Sequence, residues 1–207
     1  MFYNFLCIGR LKKIKKQSFN MFNNLTIKNF LSQEECDKIL KYSLNNLTLE
    51  PGEIGSGKIV DKIRKSSIAF NNYDIEFSFI KDRIKLVIDN EIRLKGFDLF
   101  YDGEEYQFTE YKTGEHYGWH TDSANLDFAR QRYCSVVIQL NDEYQGGELE
   151  MKDNDDNIVQ FEKGIGNLFV FLSDIKHRVK PVTDGVRYSL VNWIALKKIE
   201  NFKKTLL

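Results

Sequence analysis

Histidine is scarce in this 207-residue chain, which has His116, His120 and His177 and no others. Two of the three stand where a metal centre could use them. His120-Thr-Asp122 sets an imidazole and a carboxylate two residues apart, so on an extended strand both side chains project to one face. His177 opens a second strand-like run much later in the chain. Two imidazoles and one carboxylate form the donor set of non-haem Fe(II) oxygenases, which leaves positions on the metal open. Zinc is the rival ion, because the same donors suit it. A lone His-x-Asp is a weak signal, and a hydrogen-bonded histidine on the surface or in the core is the ordinary alternative.

The downstream sequence shifts that balance. Arg187 lies ten residues after His177, and Ser189 follows it on the last apolar run, Tyr188–Leu196. A buried guanidinium is costly unless something anionic meets it. Its planar fork suits a carboxylate, and a hydroxyl two residues on, facing the same way, can add a further donor. A dicarboxylate co-substrate meets that need if one end chelates the metal and the other reaches Arg187. The bland alternative is an arginine paired with a surface acid.

These residues must be positioned by two kinds of element. Ser32 followed by Glu35 is a capping box, and the apolar positions Ile39, Leu40 and Leu44 extend a helix over Ser32–Leu44. Ile80, Ile84, Val87, Ile88 and Ile92 recur at helical spacing, which predicts a second helix from about Tyr73 to Leu94. Pro51–Gly57 reads as a loop. After about Gly96 the pattern becomes short β-rich runs: Tyr106–Tyr111, Ser135–Leu140, Glu148–Met151, Ile158–Phe161, Asn167–Leu172, Arg178–Val182 and Tyr188–Leu196. Helices followed by many strands imply an α+β, mainly β fold, a double-sheet jelly roll with the N-terminal helices packed on one sheet.

Bulk properties set the outer bounds. The chain is 42% hydrophobic and 14% aromatic with 2 prolines, as a folded globular protein should be. Lys+Arg and Asp+Glu are both 30, so overall charge gives no reason to expect a nucleic-acid partner. Cys7, Cys36 and Cys134 are an odd, scattered set that fits a reducing compartment. Residues 1–20 carry Arg10, Lys12, Lys13, Lys15 and Lys16 after a short apolar stretch, the reverse of a secretory signal, and nothing is long enough to span a bilayer. The expectation is a cytoplasmic protein in three parts. These are a poorly ordered basic leader over 1–20 (with Met21 a candidate start), one domain over 21–196, and a tail over 197–207. The basic cluster Lys58, Lys62, Arg64 and Lys65 is either part of a substrate lid or a solvated face.

The ordered motifs together carry a resemblance. Tyr111-Lys-Thr-Gly-Glu-His-Tyr-Gly-Trp-His120-Thr-Asp122, then Gly146-Gly147-Glu148-Leu149, then His177-Arg-Val-Lys-Pro-Val-Thr-Asp-Gly-Val-Arg187-Tyr-Ser189 resemble the 2-oxoglutarate/Fe(II) dioxygenases of the prolyl 4-hydroxylase type. They are most similar to the PKHD-type hydroxylase branch, over roughly Met21 to Leu196. The resemblance implies a cupin-like double-stranded β-helix with His120, Asp122 and His177 as iron ligands. It implies that Arg187 binds the distal carboxylate of 2-oxoglutarate, where collagen-type enzymes use a lysine, and that Tyr111 donates its hydroxyl to the same carboxylate. Ser189 is a further candidate for that contact. Gln139 is a candidate co-substrate contact, with an outward or packing role as the alternative.

It also implies hydroxylation of an aliphatic C–H with succinate and CO2 as co-products and L-ascorbate keeping the iron reduced. A prolyl residue in a peptide or protein is the favoured substrate; another side chain or a small molecule is the alternative. Two remoter readings are a non-catalytic metal-binding jelly roll and a zinc hydrolase. Substrate choice is expected to lie in the loops Pro51–Ser67 and Tyr101–Tyr106. Gly146-Gly147 reads as a tight turn, Trp119 and Trp193 as core or pocket wall, and His116 as an exposed loop residue.

Overall fold

A computed structural model describes residues 24–54, 57–73, 76–91, 99–101, 104–123 and 132–196. The basic leader, the tail after 196, and parts of both substrate loops lie outside the described residues, so those readings stay as expectations. In chain order the elements are β1 (Asn24–Ile27), α1 (Gln33–Asn46), β2 (Glu50–Pro51), β3 (Arg64–Lys65), β4 (Ser67–Asn71), α2 (Phe79–Asn90) and β5 (Leu99–Phe100). There follow β6 (Tyr106–Lys112), β7 (His116–His120), β8 (Arg132–Gln139), β9 (Tyr144–Gly146), β10 (Leu149–Lys152), β11 (Ile158–Gln160), β12 (Leu168–Leu172), β13 (His177–Val179) and β14 (Val182–Leu196). Among the described residues, no helix is long and apolar enough to cross a membrane.

The strands form two antiparallel sheets. The larger runs β1-β12-β8-β14-β6-β4-β2, with β5 and β9 also pairing with β14, and the smaller runs β11-β10-β13-β7-β3. Strands adjacent in space but distant in sequence, such as β12 beside β8 and β13 beside β7, close the two sheets into the double-stranded β-helix.

Both faces of the large sheet are covered, and each carries a cluster of buried apolar side chains. Val136, Ile138, Val170, Leu190 and Ile194 pack toward Ile39 of α1 and Ile80, Ile84 and Ile88 of α2. The alternate residues Val137, Phe169 and Phe171 face Leu149, Met151 and Val179 of the small sheet. Each such fully buried side chain contributes roughly 1.5–3 kcal/mol. This period of two fixes what β14 can offer to the space between the sheets: Arg187, Ser189, Val191 and Trp193 all line one cavity there.

Two helix boundaries differ from expectation. The Ser32 capping box is present, with Glu35 N donating to Ser32 Oγ at 3.2 Å and Ser32 N to Glu35 Oε2 at 2.9 Å. The helix it starts runs on to Asn46, and Leu44 points to solvent. The second helix begins at Phe79, not Tyr73. Tyr73 has φ 55 and its N–H donates to the Asn71 side chain at 2.7 Å, a local turn that competes with helix formation. Ile92 and Leu94 lie outside the described residues. The last strand is longer than its apolar run suggested, because β14 continues back through Gly185 to Val182.

Candidate metal centre and its cavity

His120 ends β7 and His177 begins β13, and the two residues face each other in register across that strand pair. Asp122 lies just beyond β7 in a bend, where its N–H donates to Ser173 O at 2.8 Å. One ligand atom from each of the three converges within 4.8 Å. His120 Nε2 is 3.5 Å from Asp122 Oδ1, and His177 Nε2 is 3.5 Å from Asp122 Oδ2.

The surroundings prepare these atoms for a cation. His120 Nδ1 lies 2.8 Å from Gly118 O and His177 Nδ1 lies 2.9 Å from Ile175 O. A carbonyl accepts only from a protonated nitrogen, so each Nδ1 carries a hydrogen, and Nε2 is the atom each ring turns toward the other two residues. Ser135 Oγ donates to Asp122 Oδ2 at 2.6 Å and stands 2.9 Å from Ser173 Oγ. Burial alone would raise the Asp122 carboxyl, but His177, His120 and the Ser135 hydroxyl outweigh it and hold it well below the usual carboxylate range. Burial pushes His177 down to about 4 against the pull of Asp122. A neutral imidazole beside an ionised carboxylate is the state a divalent metal binds.

The three residues form part of the wall of a cavity of about 510 Å³, together with Tyr111, Tyr117, Arg187, Ser189 and Trp193. Arg187 is 1% exposed, and Nη1 donates to Ser189 Oγ at 3.1 Å. Its Nε and Nη2 are buried with no partner among the described residues. Gly147, with φ +65, lets the chain pass close: a Cβ there would lie 3.2 Å from Arg187 Cδ and 3.1 Å from the Tyr144 ring. Tyr111 stands opposite Arg187 across β6 and β14, with the guanidinium carbon 5.5 Å from its ring centre. Burial raises the Tyr111 phenol and the charges of Arg64 and Arg187 only partly oppose it, so it stays a neutral donor. A guanidinium with two unsatisfied nitrogens, a hydroxyl and a buried phenol make a receptor for a carboxylate.

Six of the seven residues singled out from the sequence therefore share this cavity: His120, Asp122, His177, Arg187, Tyr111 and Ser189. Gln139 does not line it. Its amide donates to Tyr144 Oη at 2.7 Å and Asn141 O at 3.0 Å, which commits it to bracing. Trp193 is pocket wall under Arg132, whereas Trp119 is half-buried and stacks with Arg178 away from the cavity. His116 is on β7 and half-buried rather than in an open loop.

Sequence reasoning overlooked two contributors. Ser135 orients Asp122 but is one hydroxyl in an apolar run, with no local signal. Arg64 belongs to the basic cluster for which the sequence offers a substrate lid or a solvated face, with nothing to set it apart; it is 5% exposed and lines the cavity, while Lys58, Lys62 and Lys65 point to solvent.

The 2OG-Fe(II) oxygenase superfamily model matches residues 106–195, the span that supplies every cavity residue on β6, β7, β13 and β14. A PKHD-type hydroxylase of Prochlorococcus marinus (strain MIT 9515) is 30% identical over 184 residues, 86% of this chain and 81% of that protein. A PKHD-type hydroxylase of Rippkaea orientalis is 28% identical over 174 residues, 82% of this chain and 77% of its own. Among solved structures, a Trichoplax adhaerens prolyl hydroxylase in complex with a hypoxia inducible factor peptide fragment superposes with TM-score 0.73 at 24% identity, covering 86% of this chain and 85% of that one. A Pseudomonas putida prolyl-4-hydroxylase gives TM-score 0.65 at 22% identity, covering 86% and 95%. At these identities the structural likeness establishes the fold.

Proposed function

We propose that this chain, which belongs to the PKHD-type hydroxylases of the 2OG-Fe(II) oxygenases, hydroxylates an aliphatic C–H, with a prolyl residue of a peptide the favoured substrate. His120, Asp122 and His177 would hold the Fe(II), and Arg187, Tyr111 and Ser189 would hold the distal carboxylate of 2-oxoglutarate. The observation that carries this reading is the sharing of one cavity by the three convergent ligands and a buried guanidinium with two unsatisfied nitrogens.

Bound Fe(II) with 2-oxoglutarate supplies the oxidising chemistry, consuming O2 and releasing succinate and CO2 while one oxygen atom enters the product. The protein contributes position and environment. The carbonyls of Gly118 and Ile175 keep the two Nε2 atoms aimed inward, and Ser135 holds the Asp122 carboxylate in place. Arg187 fixes the far end of the co-substrate and so sets the orientation of its near end. No general base is needed, because no substrate proton has to be removed by a side chain. Trp193 and Tyr117 give the substrate side an aromatic wall that keeps water away and suits a compact apolar ring. The prolyl preference rests on that wall and on the prolyl hydroxylases that share the fold. Ascorbate would serve to return oxidised iron to Fe(II).

A zinc hydrolase would want a carboxylate base beside a metal-bound water and has no use for an arginine across the cavity. The test is incubation with Fe(II), ascorbate, 2-oxoglutarate and proline-containing peptides. The expected result is a peptide heavier by one oxygen atom, with one succinate formed per product. Succinate release that no proline peptide stimulates would remove the prolyl reading.

A further inference from the structure

The same cavity holds a second guanidinium that the chemistry above does not use. Arg64 lies on β3, the edge strand of the small sheet, and pairs in register with Tyr117 of β7. It is 5% exposed. Its Nε donates to Ser66 Oγ at 2.9 Å and its Nη1 to the main-chain oxygen of Glu53 at 2.8 Å. Both partners are neutral, and Nη2 is buried with no partner among the described residues. No carboxylate among the described residues forms an ion pair with it. A buried, permanently charged group compensated by a hydroxyl, a carbonyl and one aromatic face still lacks a counter-charge.

The placement is held on several sides. A Cβ on Gly52 would fall 2.6 Å from Arg64 Nε and 2.4 Å from Ser66 Oγ, so the loop approaches this closely only because residue 52 has no side chain. Gly52 N donates to Ser66 O at 2.8 Å, which ties the loop to the strand. The Arg64 guanidinium carbon is 4.7 Å from the centre of the Tyr117 ring, and that ring stacks on His120 at 3.5 Å between centres. One tyrosine ring therefore separates Arg64 from a candidate metal ligand.

We propose that Arg64 binds a carboxylate of the substrate, so the preferred substrate presents a free carboxylate within a few bonds of the carbon that is hydroxylated. The assignment rests on the oxygenase reading of the cavity, since Arg187 and the metal account for the co-substrate. Arg187 and Arg64 then divide the anions between them, one for the invariant co-substrate and one for the molecule to be oxidised. The carboxylate can be the α-carboxylate of an amino acid or chain terminus, or an acidic side chain beside the target residue.

Calorimetric titration of the full-length protein loaded with Mn(II) and N-oxalylglycine tests this, because that unreactive analogue occupies the metal and Arg187. Three pairs of probes differ only in the charge: N-acetylproline and its amide, N-acetylalanine and its amide, and acetyl-Asp-Pro-amide and acetyl-Asn-Pro-amide. At least one acid should bind about tenfold more tightly than its neutral partner. The first and third pairs show which source supplies the carboxylate. The preference should collapse toward one in Arg64→Gln and shrink in Gly52→Ala, which retains the arginine but pushes its guanidinium out of position. Equal binding of acid and neutral forms in all three pairs overturns the proposal, and so does a preference that survives Arg64→Gln. Acetylalanine binding as well as acetylproline would support the Arg64 assignment while removing the prolyl reading. If N-oxalylglycine does not bind the Mn(II) protein, the oxygenase reading fails first and the Arg64 assignment is overturned with it.

Discussion

Arg187 and Arg64 are both buried, both lack a carboxylate partner among the described residues, and both are seated against a glycine, yet the fold supports them very differently. Arg187 is on β14, the central strand of the large sheet, hydrogen-bonded to β6 on one side and to β8 and β9 on the other. Arg64 is on a two-residue strand at the edge of the small sheet, paired with β7 alone. A central strand over-determines where its side chains go, and an edge strand does so much less. In the proposed roles, the contrast would let one scaffold keep a fixed co-substrate while its substrate changes: the constant anion would be read from the core, the other from the rim.

The sharpest way to break this picture is to remove what the two arginines face in common. His177→Ala or Asp122→Ala should cut 2-oxoglutarate turnover by about a thousandfold or more and lower bound iron, measured as succinate release and metal content. Normal turnover without His177 would sink the metal assignment. Next in size, Arg187→Gln should raise the KM for 2-oxoglutarate by about a hundredfold with a smaller change in kcat, because a charge-assisted contact made in the ground state is lost. The same KM should move far less in Arg64→Gln; equal shifts in the two variants would erase the distinction between them. Ser135→Ala removes the hydroxyl that holds Asp122 and should weaken metal binding by about tenfold, seen in a competition titration, with the fold intact by circular dichroism.

The smallest effect concerns acid. In the metal-free protein His177 stays neutral down to about 4, against an ordinary value of 6.5. Between those values the unfolded chain takes up a proton that the folded chain refuses, so folding stability falls as pH drops through that window. Urea titrations at several pH values should show this slope, reduced in His177→Gln. A slope of opposite sign would mean that His177 is protonated in the folded state.

The two arginines also mark how far the sequence could be read. Arg187 was legible because its register with His177 and the apolar run after it implied a buried strand, and a buried arginine implies an anion. The structure adds that this strand continues through Gly185, where the polar residues Thr183 and Asp184 break the apolar pattern that signals a strand. Arg64 was not legible, because four basic residues in a short window look like one solvated surface. Alternation over the two residues of β3 turns Arg64 inward and Lys65 outward, and a strand so short leaves no periodic trace. The helix at Ser32 was readable from its own cap, whereas the start of α2 depended on a left-handed Tyr73 that no propensity announces. For Gln139 the sequence left a co-substrate contact and a packing role both open, and its amide is taken by Tyr144 and Asn141, on the packing side.

In the proposed function the three ligands and Arg187 act on one co-substrate. Anaerobic addition of 2-oxoglutarate to the Fe(II)-loaded protein tests it most directly, through the visible charge-transfer absorption of an iron chelated by a 2-oxo acid. A band that saturates at one equivalent per chain is predicted, lost in His177→Ala and shifted to much higher 2-oxoglutarate concentration in Arg187→Gln. No band in the parent protein, or an unchanged titration in Arg187→Gln, would contradict it.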